Sequence, residues 1–135
     1  MTATDSAPQR AITSFCVALN VTDLDRSVGF YALLGLQETT RFSPMSGIDE
    51  AVLLSPGSPG PSLLLVRSEG RSEKPTLGTG LSRLVAFVED LAAKCTLIER
   101  AHWKVDGLRT LDSGIKVAFA TDPDGYPVEM VQVST

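Results

Sequence analysis

Near the end of the chain, residues 120–132 read ATDPDGYPVEMVQ and set one carboxylate, Glu129, among Val128, Met130 and Val131. A carboxylate in that setting could ligate a metal, act as a general base, or only face water. The donor inventory limits metal chemistry. The chain has one histidine, His102, and two cysteines, Cys16 and Cys95, which form no CxxC pair. The common two-His or three-His sets would need several chains or other ligands. Cys95 reads as a buried small hydrophobe in a reducing compartment. Cys16 could be a nucleophile, but no sequence neighbour supplies a base, so it reads as core or cavity wall. His102 reads as a surface-loop histidine. Trp103 is either core or a stacking surface for a ligand. The "GTG" at 78–80 is too short for a phosphate loop and lacks the P-loop Lys-Ser/Thr.

These residues need elements to hold them. Asp122, Pro123, Asp124 and Gly125 form a tight turn, since Pro presets one dihedral and Gly accepts positive φ. A strand carrying Val128, Glu129 and Met130 follows. Upstream, "ITSFCVALNV" predicts a strand, rich in β-branched and aromatic residues. "TDLDRSVGFYALLG" predicts a helix capped by Asp23, with Leu24, Val28 and Tyr31 on one face and Gly35 as terminator. Strands are expected at "LQETTRF", "EAVLLS" and "SLLLVRS". Gly/Pro/Ser punctuation at "SPMSGID" and "PGSPGP" separates them. The stretch around Phe42 and Met45 reads as connection, with an apolar lid as the alternative. "EGRSEKPTLGTG" reads as a linker.

After the linker the plan recurs. "RLVAFVE" is a strand, "DLAAKCTLIERA" a helix capped by Asp90, and strands follow near "WKVDGLRT", "GIKVAFAT" and "YPVEMVQV". At one fixed offset Asp23 matches Asp90, Leu24 matches Leu91, Val28 matches Cys95 and Tyr31 matches Ile98. The shared cap, stripe and spacing argue for an internal duplication of a βαβββ unit. Strand alternation then sorts the faces. Phe15, Val17 and Leu19 should lie under the first helix, leaving Cys16, Ala18 and Asn20 opposite. Leu84, Ala86 and Val88 should face the second helix, leaving Arg83, Val85 and Phe87 inward. Glu129 stands with Pro127 and Val131. Phe119 points either into the cavity or into the core.

With 135 residues, 43% hydrophobic and 21% charged, the chain suits one structural domain with a real core. We divide it into an N-terminal segment 1–11, expected to be flexible, a first module 12–69, a linker 70–82 and a second module 83–135. The formal net charge of −4 and the absence of a Lys/Arg cluster argue against nucleic-acid binding. No apolar run is long enough to span a bilayer, and the N-terminus lacks a signal-peptide core, so the expected location is the cytoplasm.

The layout resembles the vicinal oxygen chelate superfamily: glyoxalase I, bleomycin-resistance proteins, extradiol dioxygenases, fosfomycin-resistance enzymes and methylmalonyl-CoA epimerase. "VTDLDRSVGFYALLGL" is similar to the family's strand, "DL" and helix ending in "FY…LG", and "ATDPDGYPVEMVQ" to its final "DPDG…E" hairpin. The resemblance spans about residues 12–133. It implies an α+β fold in which two βαβββ modules form a glyoxalase-like curved sheet with a concave cavity and helices outside. In metal-binding members the first and last strands of each unit supply one ligand apiece. The resemblance puts those positions at Cys16 and Leu64 in unit one, and at Arg83 and Glu129 in unit two. Leu64 has no donor atom and Arg83 is a fixed cation, so no metal is expected at this set. The same correspondence makes Arg83 the expected partner of a buried Glu129. Breaking such a buried pair would cost on the order of 3–5 kcal/mol.

Two functions follow from the resemblance. The first is a binding protein resembling bleomycin-resistance proteins. It would hold a small, mostly apolar or aromatic organic molecule in a metal-free cavity, within a homodimer. Cys16, Ala18, Leu64, Val66, Val85, Phe87 and Trp103 would form the walls. The alternative is an enzyme of the same superfamily, of lyase, isomerase/epimerase or dioxygenase type. Glu129 would be its base, with Arg83 or a metal as electrophile. No cofactor is expected and a divalent metal is disfavoured.

Overall fold

The computed structural model describes residue 12 and residues 14–133, so the expectation for segment 1–11 lies outside the described residues. The first module comprises β1 (Val17–Asn20), α1 (Leu24–Leu33), β2 (Gln37–Met45), β3 (Ile48–Leu54) and β4 (Leu63–Ser68). The second comprises β5 (Leu84–Phe87), α2 (Leu91–Arg100), β6 (Val105–Thr110), β7 (Lys116–Thr121) and β8 (Pro127–Gln132). This is the duplicated βαβββ plan in an α+β fold. Among the described residues, no helix is long and apolar enough to cross a membrane.

The helices start as their caps require. The Asp23 carboxylate accepts from the Arg26 N–H at 3.0 Å, and the Asp90 carboxylate from the Ala93 N–H at 3.0 Å. Each satisfies a donor that has no partner inside the helix. On α2 the buried side chains are Leu91, Cys95 and Ile98, the expected stripe. On α1 they are Leu24, Ser27, Phe30 and Tyr31. Val28, expected on that stripe, is half-buried at its margin. The stops differ. After α1, Gly35 takes φ +97°. After α2, His102 takes φ +69° while the Trp103 N–H returns to the Ile98 carbonyl. His102 is therefore the left-handed terminator of α2.

The curved sheet is divided into two four-stranded sheets, ordered β1-β4-β3-β2 and β5-β8-β7-β6. In each, the first strand pairs parallel with the last, and the other pairings are antiparallel. The "SPMSGID" stretch is not a loop. β2 runs on to Met45, which pairs with Ile48 across Ser46-Gly47. Gly47 at φ +84° supplies the positive dihedral of a two-residue hairpin, and Pro44 is tolerated because β2 is an edge strand. This removes the lid reading for Phe42 and Met45.

One core serves both modules. Leu19, Ala51, Leu53 and Leu65 from the first sheet join Ala118, Ala120, Val128 and Met130 from the second, with the buried stripes of both helices. Full burial of each large aliphatic side chain contributes roughly 1.5–3 kcal/mol. The aromatic seam is specific: Phe30 of α1 meets Trp103 edge-on, centroids 5.5 Å apart. Polar bonds fasten the same seam. The Tyr31 hydroxyl donates to Asp122 at 2.6 Å, the Thr22 hydroxyl to Asp124 at 2.7 Å, and the Tyr126 hydroxyl to the Asn20 carbonyl at 2.8 Å.

Candidate functional site

Both sheets turn one face into the shared core, so their opposite faces carry the candidate residues. On the first sheet these are Cys16, Ala18, Leu64 and Val66, with Ala18 opposite Leu64. On the second sheet Val85 stands opposite Glu129, which stands opposite Phe119. The alternation is visible in burial. Leu63 and Leu65 are buried, whereas Leu64 and Val66 are half-exposed; Val128 and Met130 are buried, whereas Glu129 is not. Phe119 is therefore on the open face, not in the core.

Glu129 and Arg83 meet. The Arg83 Nε donates to the Glu129 Oε1 at 2.8 Å, and the Arg83 Nη1 donates to the Ser82 hydroxyl at 3.0 Å. The contact is single, not the two-point fork a guanidinium can offer. Its burial is unequal: the side chain of Glu129 is 14% exposed and that of Arg83 is 43% exposed. The expectation of a fully buried pair is thus corrected. Water reaches the guanidinium, so the interaction is screened and belongs with partly exposed ion pairs.

The structure does not gather all the proposed wall residues. Trp103 packs in the inter-module core against Phe30, away from the open faces. Its ring has the partners of a core residue. Cys16, Val85 and Phe87 line a cavity of about 380 Å³ at the seam between β1 and β5, together with Val17, Tyr31 and Leu84. Ala18, Leu64, Val66, Arg83 and Glu129 do not line that cavity. Among the described residues of one chain the two sheets share no strand pairing. The four positions Cys16, Leu64, Arg83 and Glu129 therefore fall as two pairs on two separate sheets.

Those four positions do not suit a divalent metal. Leu64 offers no donor, and the Arg83 guanidinium occupies the Glu129 oxygen a cation would need. Among the described residues there is no group of three His, Cys, Asp or Glu side chains placed to hold an ion.

Sequence reasoning missed the seam residues Asp122 and Asp124, assigning them only turn chemistry. They are 3% and 2% exposed. The Asp122 Oδ1 accepts the Asp124 and Tyr126 N–H groups at 2.8 and 2.9 Å, while its Oδ2 takes the Tyr31 hydroxyl. Burial raises the Asp122 pKa above the usual carboxylate value, against the lowering effect of those hydrogen bonds. Burial first, and then the Asp122 charge, push the Tyr31 phenol upward. A signal existed: Tyr31 lies on an apolar helix stripe, and a buried phenol needs a partner.

The comparisons agree with this architecture. Over 123 residues the chain is 31% identical to a probable lactoylglutathione lyase from Vibrio parahaemolyticus, covering 84% of this chain and 86% of that protein. It is 28% identical over 122 residues to a probable lactoylglutathione lyase from Synechocystis, covering 87% and 92%. Among solved structures, glyoxalase I from Zea mays superposes with a TM-score of 0.78 at 25% identity, over 87% of this chain and 44% of that one. A family model described as the Glyoxalase/Bleomycin resistance protein/Dioxygenase superfamily matches residues 14–130. A match of that extent, on a duplicated βαβββ fold, means that the chain belongs to the Glyoxalase/Bleomycin resistance protein/Dioxygenase superfamily.

Proposed function

We propose that the protein binds a small, mostly apolar or aromatic organic molecule over the open sheet faces, without a metal. The observation that carries this reading is the Arg83–Glu129 contact at 2.8 Å. It joins two side chains at positions where metal-binding relatives would hold a ligand each. Val85 and Phe119 flank Glu129 with apolar surface, and Leu64 and Val66 do the same on the first sheet. The binder is a homodimer, resident in the cytoplasm. Phe15 and Phe87 are 83% and 74% exposed at the seam, and among the described residues β1 and β5 each have one unpaired edge. A second copy would cover those edges and bring one chain's first sheet opposite the other chain's second sheet.

The second reading is an enzyme of lyase or isomerase type, with Glu129 as base and Arg83 as electrophile. The names of the relatives from Vibrio parahaemolyticus and Synechocystis favour it. Proton transfer would require the carboxylate to leave the guanidinium as substrate enters, with Arg83 then stabilising the negative charge that develops.

Native mass spectrometry of the gently purified protein tests the binding reading. The expected species is a two-chain assembly that carries a small organic mass and no stoichiometric Zn, Ni, Mn or Fe. One metal per chain, lost on Glu129→Ala, would overturn the metal-free site. Metal-free formation of lactoylglutathione that disappears in Glu129→Ala would select the enzyme instead.

A further inference from the structure

Among the described residues, the open face of the second sheet carries one cation that is in no ion pair and that the proposed site has not used. β6 and β7 pair Asp106 with Phe119 and Arg109 with Val117, leaving Gly107 and Leu108 as a bulge. Gly107 takes φ +68°, in the left-handed region where glycine alone is comfortable. The bulge brings Arg109 back toward the ring. A Cβ at Gly107 would lie 3.7 Å from the Phe119 Cδ1 and 3.8 Å from the Arg109 Nη1. Both atoms lie within 4 Å of that one point, so the guanidinium shares the face with Phe119, and Phe119 is the direct neighbour of Glu129. In order across the face come the ion pair, an aromatic surface and a second guanidinium. The span from Glu129 to the bulge is two strand spacings, about 10 Å.

The charges on this face do not balance. Arg83 is bonded to Glu129 at 2.8 Å, and Lys104 lies 3.6 Å from Asp106. Arg109 takes part in no ion pair among the described residues. One planar cation is left over on the face that carries the aromatic ring. A guanidinium matches a carboxylate in a two-point geometry, and the ring on the same face supplies apolar surface for the rest of a ligand.

We propose that this face selects carboxylate ligands with an aromatic or apolar body, and that Arg109 is the residue that reads the carboxylate. The proposal rests on the reading of the open faces as the ligand site. It adds a charge requirement that the Arg83–Glu129 pair, already neutral, cannot impose.

The test uses two probes of one shape, 2-naphthoate and 2-naphthamide, titrated into the isotopically labelled full-length protein and followed by amide chemical shifts. The expected result is naphthoate binding about tenfold tighter, with shifts centred on Phe119 and Glu129. Arg109→Gln should abolish the preference by weakening naphthoate about tenfold. Arg71→Gln, a change of equal charge in the linker, should keep it. Rising salt should weaken naphthoate alone. Equal affinity of both probes at this face would overturn the role of Arg109 while leaving the ligand site standing. Shifts confined to other surfaces for both probes would overturn the site itself, and the charge requirement with it.

Discussion

The Arg83–Glu129 contact shows how one exposure value changes an energetic conclusion. Two buried charges would make each other indispensable, because an orphaned partner inside the protein is costly. Here the guanidinium is 43% exposed, so removal of Glu129 leaves a cation that water can solvate. The carboxylate, 14% exposed, is the partner that suffers when it stands alone. The expected losses are therefore asymmetric: Arg83→Leu should destabilise more than Glu129→Ala. A denaturation series on wild type, both single variants and the double variant should give a coupling of about 1 kcal/mol. A coupling near 4 kcal/mol would mean that the pair is desolvated in solution, for example beneath a partner chain. Zero coupling would break the pair altogether.

At the scale of elements, the chemistry of single residues decides where helices stop. α1 ends at a glycine, but α2 ends at His102, at φ +69°. A non-glycine side chain in the left-handed region costs roughly 1–2 kcal/mol. His102→Gly should remove most of that strain, and thermal unfolding should shift upward by a few degrees. A drop would assign the imidazole an interaction that outweighs the strain. The same elements show what the sequence could convey. Both βαβββ units were legible, because caps, apolar stripes and turn residues act over a few residues. The cap Asp23 and the cap Asp90 sit where the repeat put them. The error at "SPMSGID" arose because Ser, Pro and Gly mark both loops and tight hairpins, and only pairing with Ile48 separates the two. On the site, alternation put Glu129 and Val85 on one face correctly, since period two is local. Trp103 was left open because its contact, Phe30, lies in the other module.

For the whole molecule, the decisive contacts join residues far apart in sequence, and no local pattern encodes them. Tyr31 and Asp122 are 91 positions apart, and Thr22 and Asp124 are 102 apart. These bonds, with the Phe30–Trp103 contact, make one body of two similar modules. They also turn the candidate faces away from the shared core. The clasp has a cost that pH should reveal. Asp122 is 3% exposed and its pKa is raised, burial outweighing its three hydrogen bonds. A raised carboxylate pKa means that, above the unfolded value near 3.8, the folded chain holds a proton the unfolded chain has lost. The contribution to stability is fully present below that value and is lost as pH rises through the folded pKa. Asp122→Asn removes the titration while its side-chain oxygen can still accept the Asp124 and Tyr126 N–H groups. The quantity to measure is the stability of wild type minus that of Asp122→Asn, by denaturant unfolding from pH 4 upward, within the range where both proteins fold reversibly. That difference should fall with rising pH by at most about 1.4 kcal/mol per pH unit and then level off. The other titrating groups cancel in the difference unless they touch Asp122; the Asp124 charge does act on Asp122, so its effect is part of what the difference reads. Tyr31 and Tyr126 are both pushed upward by burial, so they stay protonated across the window. A difference that climbs with pH would mean that the hydrogen bonds from Tyr31, Asp124 and Tyr126 outweigh burial, and that the clasp holds an ionised carboxylate whose desolvation cost they more than offset.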